Sequence, residues 1–217
     1  MAGFFDEHRR GFWTKGHKQS LYLAILLIVI AIFVQISAGR YSSRSAASAP
    51  FVGDLFLDNL PLVNLHFFIT EGAFLFWVLA IFLLSSKAKH LLFGLKAIAL
   101  FVIFRAFFIS LTHIGIYPER IILDGNNPIF SLYKLLTFQG NFFFSGHTGF
   151  PYLMALIFWR HAPYRRIFIF FTLFFGASVL LAHVHYSIDV FSAPFITYGI
   201  YKITAKLFPK DYELLNS

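Results

Sequence analysis

The 217-residue chain contains no cysteine and little charge. Without cysteine it can form no disulfide, no thiolate nucleophile and no cysteine-ligated metal site. Charged residues make up 13% of the chain, whereas 58% of its residues are hydrophobic and its mean hydropathy is +0.71. This composition excludes a soluble globular domain, a disordered chain and a collagen-like chain, and it indicates a protein that lies in a bilayer.

The 18 lysine and arginine residues give a net charge of +8, but they sort by loop and form no continuous basic stripe. A nucleic-acid partner is therefore not expected. The 31 phenylalanines would be excessive for a small soluble core, and they suit a surface that faces lipid tails. The partners that we expect are phospholipids and lipid alcohols in the membrane, and the sequence does not indicate an oligomeric state.

Apolar stretches long enough to cross a hydrocarbon core of about 30 Å recur along the chain. We place six of them at about 21–37, 65–84, 91–111, 142–159, 167–182 and 185–203. The sequence thus predicts an all-α, polytopic membrane protein with about six transmembrane helices. The catalytic membrane domain would span 21–204, between an N-terminal segment at 1–20 and a tail at 205–217. Alternatively, the first stretch is a signal peptide cleaved near Ala47-Ser48-Ala49.

The distribution of basic residues predicts the orientation. Most of them lie in segments that would share one side with the N-terminus, around 9–18, 87–89, 160–166 and 202–210. By the positive-inside rule both termini are cytoplasmic. The loop before Leu65, the loop at 112–141 and the turn at 183–185 then face outward. We expect a bacterial inner (plasma) membrane, with the site facing the exterior or periplasm.

The long outer loop contains a pattern typical of a short surface helix. Asn127-Pro128 resembles a capped helix start, and it is followed by spaced apolar residues (Ile129, Phe130, Tyr133, Leu136 and Phe138). We expect this helix to lie on the membrane surface. It would act as a lid over a site or as a passive linker, since a structureless loop of this length is uncommon.

Among the charged residues within predicted spans, Lys96, Arg105 and Glu71 each need a physical reason. Lys96 lies near the cytoplasmic end of its span and is expected to snorkel in a structural role. Arg105 and Glu71 lie at similar depth in the outer halves of the third and second spans. They either pair with each other or serve a site.

Two polar motifs open the fourth and sixth spans on the same outer side. They are Ser145-Gly146-His147-Thr148 and His185-Tyr186-Ser187-Ile188-Asp189. The N-termini of both helices would point outward, where their free N–H groups favour a phosphate. Asp189 lies four positions after His185, so the carboxylate can orient one imidazole nitrogen and leave the other as a nucleophile. His147 would then give a proton to the leaving oxygen.

These motifs resemble the type 2 phosphatidic acid phosphatase superfamily, and within it the sphingomyelin synthase branch. That branch carries a Cys-Gly-Asp before three residues and Ser-Gly-His-Thr, where this chain has Gln139-Gly140-Asn141, 142–144 and the same four residues. It also has a His-Tyr-Thr, one variable residue and Asp-Val, where the chain reads 185–190, and an Arg and Thr pair similar to Arg105 and Thr112. The resemblance implies a catalytic triad of His147, His185 and Asp189. We expect neither a metal nor another cofactor.

The chain also departs from the superfamily. The Lys and Arg-Pro motif of the phosphatases is absent, and Ser178-Val179 stands where they have Ser-Arg. Arg105, the helix N-termini and His183 or His113 are then left to meet the charge of a phosphate. We expect Ser145, Gly146, Asn141 and Glu71 to contribute to substrate binding as well. Asn141, in place of an acidic residue, bears on the choice of head group.

The sequence therefore predicts a lipid phosphotransferase that works through a phosphohistidine and moves a phosphorylated head group between lipids. With water as acceptor it would be a lipid phosphate phosphatase. Phe142, Phe143, Phe144 and Phe150 would seat acyl chains or serve as ordinary packing residues. Two other hypotheses are a transporter with Glu71, Arg105 and His185 as a charge relay, and a metal site of His147, His183 and His185.

Overall fold

The computed structural model describes residues 11–111, 113–138 and 142–217, and all regular structure within them is helical. Six helices alternate in direction and form the bundle, and two short helices cover its ends. The helices are α1 (Lys15–Ala46), α2 (Ala73–Ser85, preceded by a π-helical turn at Phe68–Gly72), α3 (Ala88–Leu111), α4 (Pro128–Leu136), α5 (Gly146–Ile157), α6 (Ala162–Leu181), α7 (Ser187–Leu207) and α8 (Pro209–Asn216).

Four helical segments are long and apolar enough to cross a membrane: Lys15–Ala46, Phe68–Ser85, Ala88–Leu111 and Ala162–Leu181. They confirm the membrane character that the composition predicted. Helix α5 has only 12 residues, about 18 Å, and α7 is less apolar because it carries Asp189 and Lys202. The count of six spans and the cytoplasmic termini therefore stay predictions.

The outer faces of the helices carry large apolar side chains. Phe33 of α1, Leu173 of α6 and Phe195 of α7 are 68%, 69% and 80% exposed. In water so much apolar exposure would promote aggregation, whereas lipid tails solvate it. The buried core lies between α2, α3, α5, α6 and α7, where aromatic rings such as Phe76 and Phe175 pack edge to face at 5.4 Å.

Lys96 lies in the interior and does not snorkel, contrary to the prediction. Lys96 is 2% exposed, and its ammonium group forms an ion pair with Asp211 of α8. Ser20 of α1 joins them, accepting from Lys96 at 2.6 Å and donating to Asp211 at 2.8 Å. The folding back of α8 under the bundle supplies the carboxylate, so Lys96 need not reach the interface. A structural role for Lys96 agrees with this arrangement.

The loops at the other end of the bundle are tied to the turn between α6 and α7. The N–H of Ile121 donates to the carbonyl oxygen of Ala182 at 3.1 Å, and that of Val63 donates to Leu181 at 2.8 Å. Asp54 accepts from the N–H of Ser187 at 2.7 Å, and so caps the start of α7 with a carboxylate from a distant loop. These bonds hold the loops over the ends of α5 and α7, where the two histidine motifs begin.

Candidate active site

The two motif-bearing helices begin side by side. Ser145 caps α5, because its hydroxyl accepts from the N–H of Thr148 at 3.4 Å. The N–H of Ser145 donates in turn to the carbonyl oxygen of Asp189 in the first turn of α7, at 3.0 Å. This main-chain bond joins two motifs that lie about forty residues apart in the sequence.

Asp189 holds His185 in place. Its Oδ2 lies 3.2 Å from Nδ1 of His185 and also accepts from the N–H of Tyr186 at 3.0 Å. Asp189 is completely buried and His185 is 5% exposed. Since a carboxylate only accepts, Nδ1 is the protonated nitrogen of a neutral His185, and Nε2 keeps a free lone pair.

His147 faces His185 across the helix starts, with 6.0 Å between the ring centroids. Its Nε2 lies 2.9 Å from the carbonyl oxygen of Ile69, in the π-helical turn before α2, and 3.4 Å from the hydroxyl of Tyr133 in α4. A carbonyl oxygen accepts only, so the proton of a neutral His147 resides on Nε2, and Nδ1 is the nitrogen that can exchange a proton. Two separate elements, the π-helical turn and α4, therefore orient this ring.

A cavity of about 540 Å³ opens beside the two rings, and both histidines line it. Arg105 and Arg120 line the same cavity, so two guanidinium groups accompany the imidazoles. Gly146 also borders it, and a Cβ atom at this position would lie 3.3 Å from Nε of Arg105. The glycine thus permits the guanidinium group to lie against the start of α5, where Arg105 Nε donates to the carbonyl oxygen of Phe144 at 2.9 Å.

Away from the polar end, the cavity continues between α1, α2 and α3 as an apolar passage. Its walls there include Ile28, Ile32, Ile81, Leu95 and Ile98. Leu95 lies ten residues from Arg105 on α3, so the passage extends about 15 Å, half of a hydrocarbon core. The cavity therefore has a charged end and a long hydrocarbon-like end.

The predicted phenylalanine wall divides into two parts. Phe142 and Phe150 line the cavity. Phe144 is completely buried and packs edge to face against Phe101 at 5.4 Å, and Phe143 packs against Phe108 at 5.7 Å. Only Phe142 and Phe150 are therefore placed to contact a bound acyl chain.

Glu71 has partners other than Arg105. Its Oε1 accepts from Nδ2 of Asn127 at 2.6 Å, and its Oε2 accepts from the hydroxyl of Thr70. Asn127 is also the N-cap of α4, because its Oδ1 accepts from the N–H of Phe130 at 2.7 Å. The predicted surface helix and its Asn-Pro start are thus present. Glu71 anchors that helix beside the histidines and does not line the cavity.

The other predicted substrate-binding residues are placed differently. His183 is 2% exposed with φ of 54°, and its ring meets Tyr117 at 5.4 Å outside the cavity wall. Ser145 is completely buried as a helix cap. Asn141 and Thr112 lie outside the described residues. Among the residues that the structure describes, no group of three His, Cys, Asp or Glu side chains is arranged to hold a metal ion.

Ionisable groups in the loops around the site have shifted pKa values. Burial raises the pKa of Asp54. Hydrogen bonds from three main-chain N–H groups, that of Ser187 among them, lower it by more, so its pKa lies below the ordinary value. Burial lowers the pKa of Arg120 and raises that of Tyr133. A hydrogen bond to Asp58 raises the pKa of Tyr117 to about 12. At neutral pH the loops therefore hold Asp54 as an anion and both tyrosines in their neutral form.

Three contributors to this site were not predicted from the sequence. They are Arg120, Tyr133 as a neighbour of His147, and the carbonyl oxygen of Ile69. Arg120 looked like an ordinary basic residue of an outer loop. The carbonyl oxygen of Ile69 carries no side-chain signal, although a π-helical turn often marks a functional site once the backbone is known.

Comparison with known proteins agrees with the motifs. No curated protein and no solved structure matches the chain. Residues 140–206 match the family model described as PAP2 superfamily C-terminal, and the described part of that range contains α5, α6, most of α7 and both histidines. Members of this superfamily are phosphatases and phosphotransferases. The match supports membership of the chain in the PAP2 superfamily, the one that its two histidine motifs resemble.

Proposed function

We propose that this protein is a membrane lipid phosphotransferase, which moves a phosphorylated head group from a phospholipid to a lipid alcohol in the manner of sphingomyelin synthase. The observation that carries the proposal is the pairing of His147 and His185, 6.0 Å apart between ring centroids, on the wall of a cavity with one charged and one apolar end. In a phosphate ester bound beside the two rings, the phosphorus would face Nε2 of His185 and the lipid oxygen would face Nδ1 of His147.

The first step forms a phosphohistidine. Nε2 of His185 attacks the phosphorus while Asp189 holds the proton on Nδ1 and stabilises the growing positive charge of the ring. The bond between phosphorus and the lipid oxygen breaks, and Nδ1 of protonated His147 gives its proton to that oxygen. Arg105 and Arg120 stabilise the charge on the phosphoryl oxygens, in place of the clamping residues that this chain lacks.

The second step transfers the head group. Nδ1 of His147, now a base, takes the proton of the acceptor hydroxyl, whose oxygen attacks the phosphorus. The bond between phosphorus and Nε2 of His185 breaks, and the resting states of both histidines return. The acceptor is a lipid alcohol such as ceramide or diacylglycerol, because the passage beside the site is lined by apolar side chains for about 15 Å.

Hydrolysis is the second candidate, with water in place of the lipid alcohol. It is favoured by the match to a superfamily that includes phosphatases. A transporter fits less well, because its polar residues should continue through the membrane. Here the inner part of the cavity is lined by isoleucine and leucine, and Lys96 is paired with Asp211.

Head-group-labelled phosphatidylcholine, supplied to the purified protein with and without ceramide, separates these activities. Label that moves to ceramide supports transfer, and free labelled phosphocholine supports hydrolysis. His185→Ala should abolish both, whereas His17→Ala, the same exchange at the other end of the bundle, should leave both unchanged. Full turnover by His185→Ala would contradict the proposed nucleophile.

A further inference from the structure

A second cavity, of about 520 Å³, lies at the other end of the bundle. Its wall includes Lys89 of α3, Ile157 of α5, and Tyr198 of α7. Ile157 is eleven residues from Gly146, so it lies about 16 Å further along α5. Lys89 is sixteen residues from Arg105, about 24 Å along α3. Both helices place this cavity far from the two catalytic histidines that we propose.

Its wall combines cationic and aromatic side chains. The charged members are Lys89, Arg160 and Lys202, and two histidines and several tyrosines accompany them. Lys202 lies over the ring of Tyr198, 5.4 Å from its centroid. None of the residues that line this cavity is Asp or Glu. Lys89 donates to the hydroxyl of Ser217 at 3.1 Å and Arg160 donates to the carbonyl oxygen of Asn216, and both acceptors are neutral. A wall with three cationic side chains and no acidic side chain attracts an anion.

A buried histidine supports the same conclusion. His90 is 5% exposed and stacks on Phe158 with 4.7 Å between the ring centroids. Its Nδ1 has no hydrogen-bond partner among the described residues, although it is removed from solvent. Buried polar atoms normally have a hydrogen-bond partner, so a group bound in the cavity would supply one for Nδ1 of His90.

The rim of the cavity suits the membrane interface. Trp159 is 49% exposed and Tyr198 is 47% exposed, and both line the cavity. Tryptophan and tyrosine prefer the level of lipid head groups, because their rings are apolar and their N–H or O–H groups are polar. Leu156, Ile157 and Leu215 add apolar side chains to the same wall. An occupant with both a phosphate and hydrocarbon chains would match the whole surface.

We propose that this second cavity binds the phosphate group of an anionic phospholipid, at the end of the bundle opposite to the histidine site. Lys89, Lys202 and Arg160 would contact the phosphate oxygens, and Trp159 and Tyr198 would lie beside the glycerol backbone. This inference is independent of the proposed transferase activity, because it uses none of the residues of the first cavity.

Photo-crosslinking of the full-length protein tests the proposal. The probe is phosphatidylglycerol with a photoactivatable group near its head group, and crosslinked residues are mapped by peptide mass spectrometry. We expect crosslinks near 157–161 and 198–202. Lys89→Gln with Lys202→Gln should weaken binding about 25-fold, at about fivefold for each lysine.

The matched control is Lys206→Gln with Lys210→Gln, which removes the same charge from residues that do not line the cavity. This variant should keep the crosslinks. Competition with inorganic phosphate at constant ionic strength separates the two sources of the anion: competition indicates a soluble phosphate, and its absence indicates the lipid. Equal loss in both double variants, or equal labelling by a phosphatidylcholine probe, would overturn the proposal.

Discussion

Oδ2 of Asp189 lies 3.2 Å from Nδ1 of His185, one turn earlier, and the same oxygen accepts the N–H of Tyr186 at 3.0 Å. One carboxylate oxygen thus both orients the imidazole and caps the start of α7. If His185 is the nucleophile, the charge that develops on its ring falls next to a buried anion. Loss of this carboxylate should therefore lower the activity.

Asp189→Asn should lower turnover of the phospholipid by about 100- to 10,000-fold, because a neutral amide neither stabilises the imidazolium ion nor enforces its tautomer. The measurement is the rate of head-group transfer, together with the amount of acid-labile phosphohistidine. Asp124→Asn, on an exposed loop position, is the matched control and should retain full activity. Unchanged phosphohistidine formation in Asp189→Asn would contradict the assigned role.

The hydrogen bond between Asn127 and Glu71 predicts that Glu71 holds the start of α4 against the bundle. Asn127→Asp keeps the helix cap but sets two carboxylates against each other, so α4 should detach more often. We expect hydrogen exchange of the amides at 129–133 to quicken about tenfold, from a loss of about 1 to 2 kcal/mol. Measurement is by hydrogen–deuterium exchange with peptide mass spectrometry.

Exchanging the two partners provides the control. In the double variant Glu71→Gln with Asn127→Asp, the amide lies on the other side of the bond and can donate to the new carboxylate. Its exchange rates should return toward those of the unchanged protein. If the single and double variants exchange equally fast, the contact does not hold α4.

The buried ion pair of Lys96 and Asp211 predicts a strong effect on stability. Lys96→Met leaves the carboxylate of Asp211 without its cation, and the free energy of unfolding should fall by about 3 to 5 kcal/mol. Combining it with Asp211→Leu should recover much of this loss, because an apolar pair replaces the ion pair. Thermal unfolding in detergent measures Lys96→Met, Asp211→Leu alone and the double variant. Additive losses in the double variant would show that the two charges do not interact.

The lowered pKa of Asp54 predicts a pH dependence. Its value lies below the ordinary 3.8, so the anion stabilises the folded state above about pH 4, and this stability is lost as the pH falls through the folded pKa. Unfolding temperatures measured from pH 6 to pH 3, about the range over which carboxyl groups titrate, should decline more steeply for the unchanged protein than for Asp54→Asn. Parallel curves would contradict a role for the Asp54 anion at the start of α7.

Much of the fold and part of the site could be predicted from local patterns. Hydropathy predicted long apolar helices, because a membrane requires long apolar runs whatever their neighbours are. The start of α4 followed from Asn127-Pro128, since a cap depends only on adjacent residues. The spacing of His185 and Asp189 predicted their contact for the same reason.

Contacts between distant parts of the chain were decided only by the tertiary structure. The folding back of α8 gives Lys96 a buried partner. Asn127 donates to Glu71, for which pairing with Arg105 was one of two alternatives. Arg120 reaches the cavity because its loop is bonded to the turn after α6. Composition and periodicity describe each segment separately, whereas such contacts depend on how helices pack, so no local pattern could indicate them.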